Sequence, residues 1–274
     1  MGKFWSLVFL TVPIFGVGVF IYGASPNVNI WLPLDASENG RNVDHLFMFI
    51  LWLTGIVFIA TEGALIWFLW KYNSQSNPKP AKYTHGSHNL EIVWTILPAV
   101  TLLFIAIYQM NAWADSKIRN PSATLPNGER DPNVVELEVQ ARQFEWRVRY
   151  PGKDGKLGTP DDLFTVNDIH LPVGKMALVE LKSQDVLHGF FIPNMRVKQD
   201  AVPGMRIPVW FRPMVVGTYD IPCSQLCGWG HYKMKGQLVV ESEEDYQRWL
   251  DQLTNEQNAT TPLAAAAKAE GKSE

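Results

Sequence analysis

Apolar positions follow two different rhythms along this chain. Three unbroken runs, roughly Phe4 to Tyr22, Leu46 to Trp70 and Ile92 to Ala112, dominate the first 112 residues. Each is close to the ~20 residues a helix needs to cross a bilayer. Beyond them the period shortens to two. Val134 to Ala141 and Phe144 to Tyr150 alternate apolar with polar, and Ala177 to Lys182, Arg206 to Phe211 and Gln237 to Glu241 follow as further short strand candidates. Short alternating segments separated by Pro and Gly turns predict a β-sandwich or Greek-key barrel. Between the two regimes, 113–133 is a linker with Pro121, Pro126, Asn127-Gly128 and Pro132 and no sustained period. Ser242 is placed to cap a short helix ending near Leu253. The low-complexity stretch 255–274 predicts a disordered tail or a weak helix. The chain thus divides into a helical anchor at 1–112, with spans at about 4–22, 46–70 and 92–112, a linker, a β domain at 134–254 and a tail. Its fold class is membrane-anchored all-β.

Charge orients the spans. Lys71, Lys79 and Lys82 lie between the second and third runs, whereas Gly23 to His45 holds Arg41 against Asp35, Glu38 and Asp44. Lys/Arg excess marks the cytoplasmic side, so 71–91 faces in and the β domain faces out; Trp67, Trp70 and Trp94 near span ends suit the headgroup region. The first run follows a basic start, Met1-Gly-Lys3, as a signal peptide would. Its ~19 apolar residues exceed the ~7–15 of a signal core, which predicts a retained helix. A net charge of −3 and the absence of a basic stripe with interleaved aromatics exclude nucleic acid as a partner. Glu62 lies inside the second run, where an acid must face a partner or water; it serves either a helix–helix contact or proton handling. The segment Pro151–Asp162 has carboxylates and turn glycines without regular calcium-ligand spacing, and predicts a hairpin tip.

The chemistry concentrates near the C-terminus, in Cys223-Ser-Gln-Leu-Cys227-Gly-Trp-Gly-His231-Tyr-Lys-Met234. Both cysteines of the protein are here, followed by an imidazole and a thioether. A disulfide or a structural zinc ion would use the same cysteines. Met234 is foreign to both, and thiolate, imidazole and thioether together favour copper. His188, in Asp185-Val-Leu-His188, is placed to add a second imidazole from an earlier strand. With both cysteines committed to metal, no covalent c-type haem is expected.

The loop, together with Val-Leu-His188, Lys198-Gln-Asp200-Ala-Val-Pro203-Gly204 and Gly217-Thr-Tyr219, resembles the binuclear copper (CuA) domain of cytochrome c oxidase subunit II. The resemblance continues upstream into the membrane part. It implies a cupredoxin-like Greek-key β-sandwich behind two helices, so the first helix here is an addition. It also implies bridging thiolates from Cys223 and Cys227, imidazoles from His188 and His231, and weak outer ligands from Met234 and the Gln225 carbonyl. The implied function is electron relay from a c-type cytochrome to haem in subunit I, where oxygen is reduced and protons are pumped, on the periplasmic face of a bacterial plasma membrane. Subunit I, other oxidase subunits and lipid are the implied neighbours. Glu91, in Asn89-Leu-Glu91-Ile-Val-Trp94, matches an acid at the mouth of a proton channel of subunit I; a solvated interfacial carboxylate is the plainer reading. The same relay would serve a nitric oxide reductase, and a copper-binding assembly protein without turnover is the alternative of another class.

Two departures from that pattern matter. The loop's usual glutamate, which reaches a magnesium ion shared with subunit I, is Gln225 here, a poorer ligand for a hard dication. The usual Gln-Trp-x-Trp strip, where electrons come in, reads Gln143-Phe144-Glu-Trp146. Phe144 and Trp146 are therefore the expected point of electron intake, and the missing indole suggests a membrane-attached or complex-bound donor instead of a free cytochrome.

Overall fold

A computed structural model describes residues 2–25, 28, 30–73, 79–80 and 82–270, with side chains to Asn258. Residues 271–274 of the expected tail lie outside the described residues. Two compact units emerge: Met1–Pro33 with Asn42–Ala112, and Leu34–Arg41 with Trp113–Glu274.

The first unit is helical. Helices α1 (Gly2–Ala24), α2 (Gly40–Lys71) and α3 (His88–Tyr108) carry the three apolar runs and are long and apolar enough to cross a membrane. Their apolar side chains are exposed all round, which in water would be ruinous and in lipid is the expected state. Thr54, Thr61 and Thr101 donate their hydroxyls to the carbonyls of Ile50, Val57 and Leu97 four residues back, so these three need no water. Helix α2 starts six residues before the expected span, because polar residues such as Arg41 and Asp44 can extend a helix above the hydrocarbon. The third expected run is divided: α3 stops at Tyr108, and Met110–Lys117 forms a separate short helix, α4. Part of the expected linker is therefore helical, and Trp210 donates its Nε1–H to the Asp115 carbonyl at 2.8 Å.

The second unit is a β-sandwich, with ten strands among the described residues. One sheet has the order β3-β2-β1-β5-β8, from Leu163–Val166, Glu145–Tyr150, Val134–Arg142, Met176–Ser183 and Ile207–Phe211. Another is β4-β10-β9, from Asp168–Pro172, Lys235–Glu241 and Gly217–Pro222; β6 (His188–Ile192) and β7 (Val197–Ala201) form a pair. Pairings β1·β5 and β4·β10 are parallel and the rest antiparallel, so the sheets are mixed. Strict alternation along β5 and β10 sends Val179, Leu181, Leu238 and Val240 into a core shared with Trp146, Phe190 and Ile221. Residues 151–162 join β2 to β3 as a hairpin tip, where Asp162 Oδ2 accepts from the Gly158 N–H at 2.7 Å.

Residues 34–41 belong to this unit. Ala36 is fully buried, its N–H donates to the Asn194 carbonyl at 2.9 Å and its carbonyl accepts from Met214 at 2.7 Å. Ser37 donates to the Met195 carbonyl at 3.0 Å. At the other end, Ser242 Oγ accepts from the Asp245 N–H at 3.1 Å and caps α5. The helix runs Glu243–Glu270, well past the expected end near Leu253 and through the expected disordered tail. The physical reason is the alanine run after Pro262, the strongest helix-forming composition available.

Candidate metal centre

Strands β9 and β10 pair antiparallel, with Pro222 opposite Lys235. Cys223 and Met234 are the residues just inside that pairing, and the Cys223 N–H donates to the Met234 carbonyl at 3.0 Å. The ligand loop is thus the connection of a hairpin, pinned at its neck by a ladder-like bond. Bridging of Phe190 to Cys223 brings β6 alongside and carries His188 to the same place.

The outcome is a buried cluster of soft donors. His188, Cys223 and Cys227 present ligand atoms all within 4.8 Å of one another. The two sulfurs are free thiols 3.8 Å apart, not a disulfide. From Cys227 Sγ it is 3.7 Å to His231 Nδ1 and 3.9 Å to Met234 Sδ; from Cys223 Sγ it is 3.2 Å to the Gln225 carbonyl. All six residues expected as ligands therefore come together. Zinc would have little use for the thioether that closes the group.

Around the donors sit residues that aim them. His188 is fully buried, and its Nε2 is held by Asp185 Oδ1 at 2.8 Å, leaving Nδ1 buried with no hydrogen-bond partner. A buried ring nitrogen without a partner is costly unless a metal takes it. Asp185 also accepts from the Gln143 N–H at 2.7 Å, and Gln143 donates its side-chain amide to the Cys227 carbonyl at 2.6 Å. Burial pushes the Cys223 thiol up, but the neighbouring His188 and His231 imidazoles and the Gly189 and Gln225 backbone outweigh it and bring it down to about 6. Cys227 goes up to about 12, through burial and then the charge of Cys223 beside it. Two thiols, two imidazoles and a thioether in a largely buried cluster fit copper.

Other expected residues lie elsewhere. Trp146 is fully buried, edge-on to Phe190 at 5.4 Å and 6.2 Å from the His188 ring, so it cannot be a surface contact for a donor. Alternation on β2 places it on the core face, opposite its solvent-facing neighbour Arg147. Phe144 is half-buried beneath the loop: a Cβ at Gly230 would fall 2.5 Å from its ring. Glu91 is exposed in the first turn of α3, where the helix dipole favours a carboxylate. Glu62 is half-buried in α2 and has no ion-pair partner among the described residues. Sequence reasoning missed Asp185 and Gln143 as supports; only the spacing of Asp185 three residues before His188 hinted at the first.

Comparison with known proteins adds to this picture. Residues 25–112 match the family model for cytochrome c oxidase subunit II, transmembrane domain, and residues 143–242 that for cytochrome c oxidase subunit II, periplasmic domain. Helix α1 lies ahead of the matched region. The alternative cytochrome c oxidase subunit 2 of Bradyrhizobium diazoefficiens is 32% identical over 244 residues, covering 81% of this chain and 83% of that protein. Cytochrome c oxidase subunit 2 of Thermostichus vulcanus is 28% identical over 276 residues, covering 85% and 80%. The crystal structure of the periplasmic domain of subunit II from Bradyrhizobium japonicum is 25% identical, covers 44% of this chain and 94% of that one, and has a TM-score of 0.40.

Proposed function

The chain belongs to the cytochrome c oxidase subunit II family, and from that premise we propose that it receives electrons from a c-type cytochrome at a binuclear copper centre and relays them to haem in subunit I, where oxygen is reduced and protons are pumped. It is a membrane-anchored component of an oxidoreductase complex, with its β domain outside. The observation that carries the copper reading is the buried donor cluster, with His188 Nδ1 unpartnered beside two free thiols.

Cys223, Cys227, His188 and His231 would hold the coppers, with Met234 and the Gln225 carbonyl completing the set. Bound copper supplies a one-electron centre spread over both metals by the thiolates. The chain supplies rigidity. The hairpin neck fixes Cys223 against Met234, Asp185 fixes the tautomer and tilt of His188, and Gln143 holds the Cys227 backbone. Ligands that cannot move make each electron transfer cheap in reorganisation. Gln225 offers no carboxylate, so a shared magnesium ion would lack its strongest ligand from this subunit. In the anchor, the exposed apolar faces of α2 and α3 are the surfaces for subunit I; Glu91 is our acid for the mouth of its proton channel, and Glu62 our intramembrane acid facing a neighbour.

The test is electron paramagnetic resonance with metal analysis on the purified oxidase. Two coppers per chain and the hyperfine pattern of two equivalent nuclei are expected. Cys223→Ser should abolish that pattern, because one thiolate cannot bridge and hold both metals. The pattern of a single copper nucleus, or zinc in the metal analysis, would refute the reading.

A further inference from the structure

The ligand loop has two faces. Cys223, Cys227 and Met234 are buried, while Leu226, Trp229 and Tyr232, interleaved with them, are 77%, 80% and 75% exposed. Scattered apolar side chains on a surface need no explanation, but three large ones on one twelve-residue loop around a metal-donor cluster do. Trp229 lies midway in sequence between Cys227 and His231, two residues from each, and is the most exposed of the three.

Phe144 cannot compete for that place. Its ring lies under the loop, against Gly228 and Gly230, which flank Trp229, and a Cβ at either glycine would crowd it or its neighbour Gln143. Trp229 stands edge-on over that ring, with centroids 5.2 Å apart and planes at 69°. Phe144 is therefore a floor that steadies the indole. The loop carries one charged side chain, Lys233, whose ammonium lies 5.4 Å from the Tyr232 ring centroid. The surface is an apolar platform with a single cation at its rim, suited to the flat apolar edge of a haem.

Resting on the reading that this site takes electrons from a c-type cytochrome, we propose that the donor's exposed haem edge docks on Trp229, flanked by Leu226 and Tyr232, and that the electron comes in there instead of through the Phe144–Trp146 strip. One electron leaves the ferrous haem, which becomes ferric, and reduces the copper centre by one electron. No bond is made or broken and no proton moves.

The experiment uses the intact oxidase with three subunit variants: Trp229→Ala, Trp229→Phe and Phe144→Leu. Stopped-flow reduction of the copper centre by ferrous cytochrome c should slow about tenfold or more in Trp229→Ala, the scale of removing a central tryptophan from an interface. Reduction by a small inorganic complex should be unchanged, as should copper content and optical spectrum. Trp229→Phe should retain part of the rate, and Phe144→Leu should disturb the copper spectrum more than docking. A second readout needs no turnover: with 5-fluorotryptophan incorporated, the fluorine resonance absent from Trp229→Phe should shift when ferric cytochrome c is added. Wild-type rates in Trp229→Ala, or no shift of that resonance, would overturn the proposal. Loss of copper from Trp229→Ala would overturn it too, by making the indole structural. A wild-type oxidase without a binuclear copper signal would instead sink the underlying functional reading.

Discussion

Asp185 illustrates how one side chain can govern a metal site without touching the metal. Its two oxygens accept from the His188 ring, the Val186 N–H and the Gln143 N–H at once. It therefore sets which imidazole nitrogen is free and ties β6 to the β1–β2 turn. Asp185→Asn should lower copper affinity about 10–100-fold, the usual effect of removing an outer partner of a ligating histidine, measured by chelator competition on the oxidase. An affinity equal to wild type would show that His188 is oriented by packing alone. Sequence legibility at this scale follows locality. Cys223, Cys227, His231 and Met234 share one loop, so their chemistry could be read along the chain. Gln143 reaches the Cys227 carbonyl across 84 residues of sequence, which no local pattern encodes. Trp146 misled for a related reason: it is the second residue of β2, whose alternation turns it to the core, whereas Phe144 lies in the turn before that strand and takes a different place.

Between elements, the contact most open to pH is that of α5 with the sandwich. The His170 ring on β4 stacks on Trp249 of α5 at 4.1 Å with planes 7° apart, while its two nitrogens face Glu241 Oε1 at 2.8 Å and Asp168 Oδ2 at 3.1 Å. Burial lowers the affinity of this imidazole for its proton, but the two carboxylates outweigh burial and raise its pKa above the ordinary value. A raised folded-state pKa stabilises the fold in full below the unfolded value of about 6.5 and is lost as pH climbs through the folded one. The melting temperature of the β domain, followed by calorimetry in the detergent-solubilised oxidase, should accordingly fall across that alkaline-going window. His170→Gln should flatten the dependence; an unchanged slope would assign the pH effect to another group. Strands β1, β2, β5 and β10 were legible from apolar positions recurring every second residue, and β8 from its short run of bulky apolar residues. Strands β3, β4 and β7 were not, β3 having only four residues and β4 and β7 being interrupted by His, Lys or Asp, and they exist because a neighbour offers a ladder. For the alanine-rich stretch composition left disorder and a weak helix both open, and propensity favours the helix.

At the scale of the whole molecule, the division into an apolar anchor and a β domain was legible because a bilayer demands length and a sandwich demands alternation, and the two patterns share nothing. The strap at 34–41 was not legible: its polar residues look like any loop, and only burial of Ala36 and the Ser37–Met195 hydrogen bond reveal it as part of the β domain. That membership bears on topology. A segment lying between α1 and α2 that packs into the outer domain requires α2 to begin on the outer face, which agrees with Lys71, Lys79 and Lys82 marking its far end as cytoplasmic. Ser87 and Ser122 are both exposed and stand on opposite sides of α3 in sequence, and the native cysteines are buried. In spheroplasts, a membrane-impermeant maleimide should label Ser122→Cys directly and Ser87→Cys only after permeabilisation, read by mass shift of the subunit. Labelling of Ser87→Cys in sealed spheroplasts would invert the assignment, placing the copper loop away from any periplasmic donor and leaving the strap and the lysines without a common explanation.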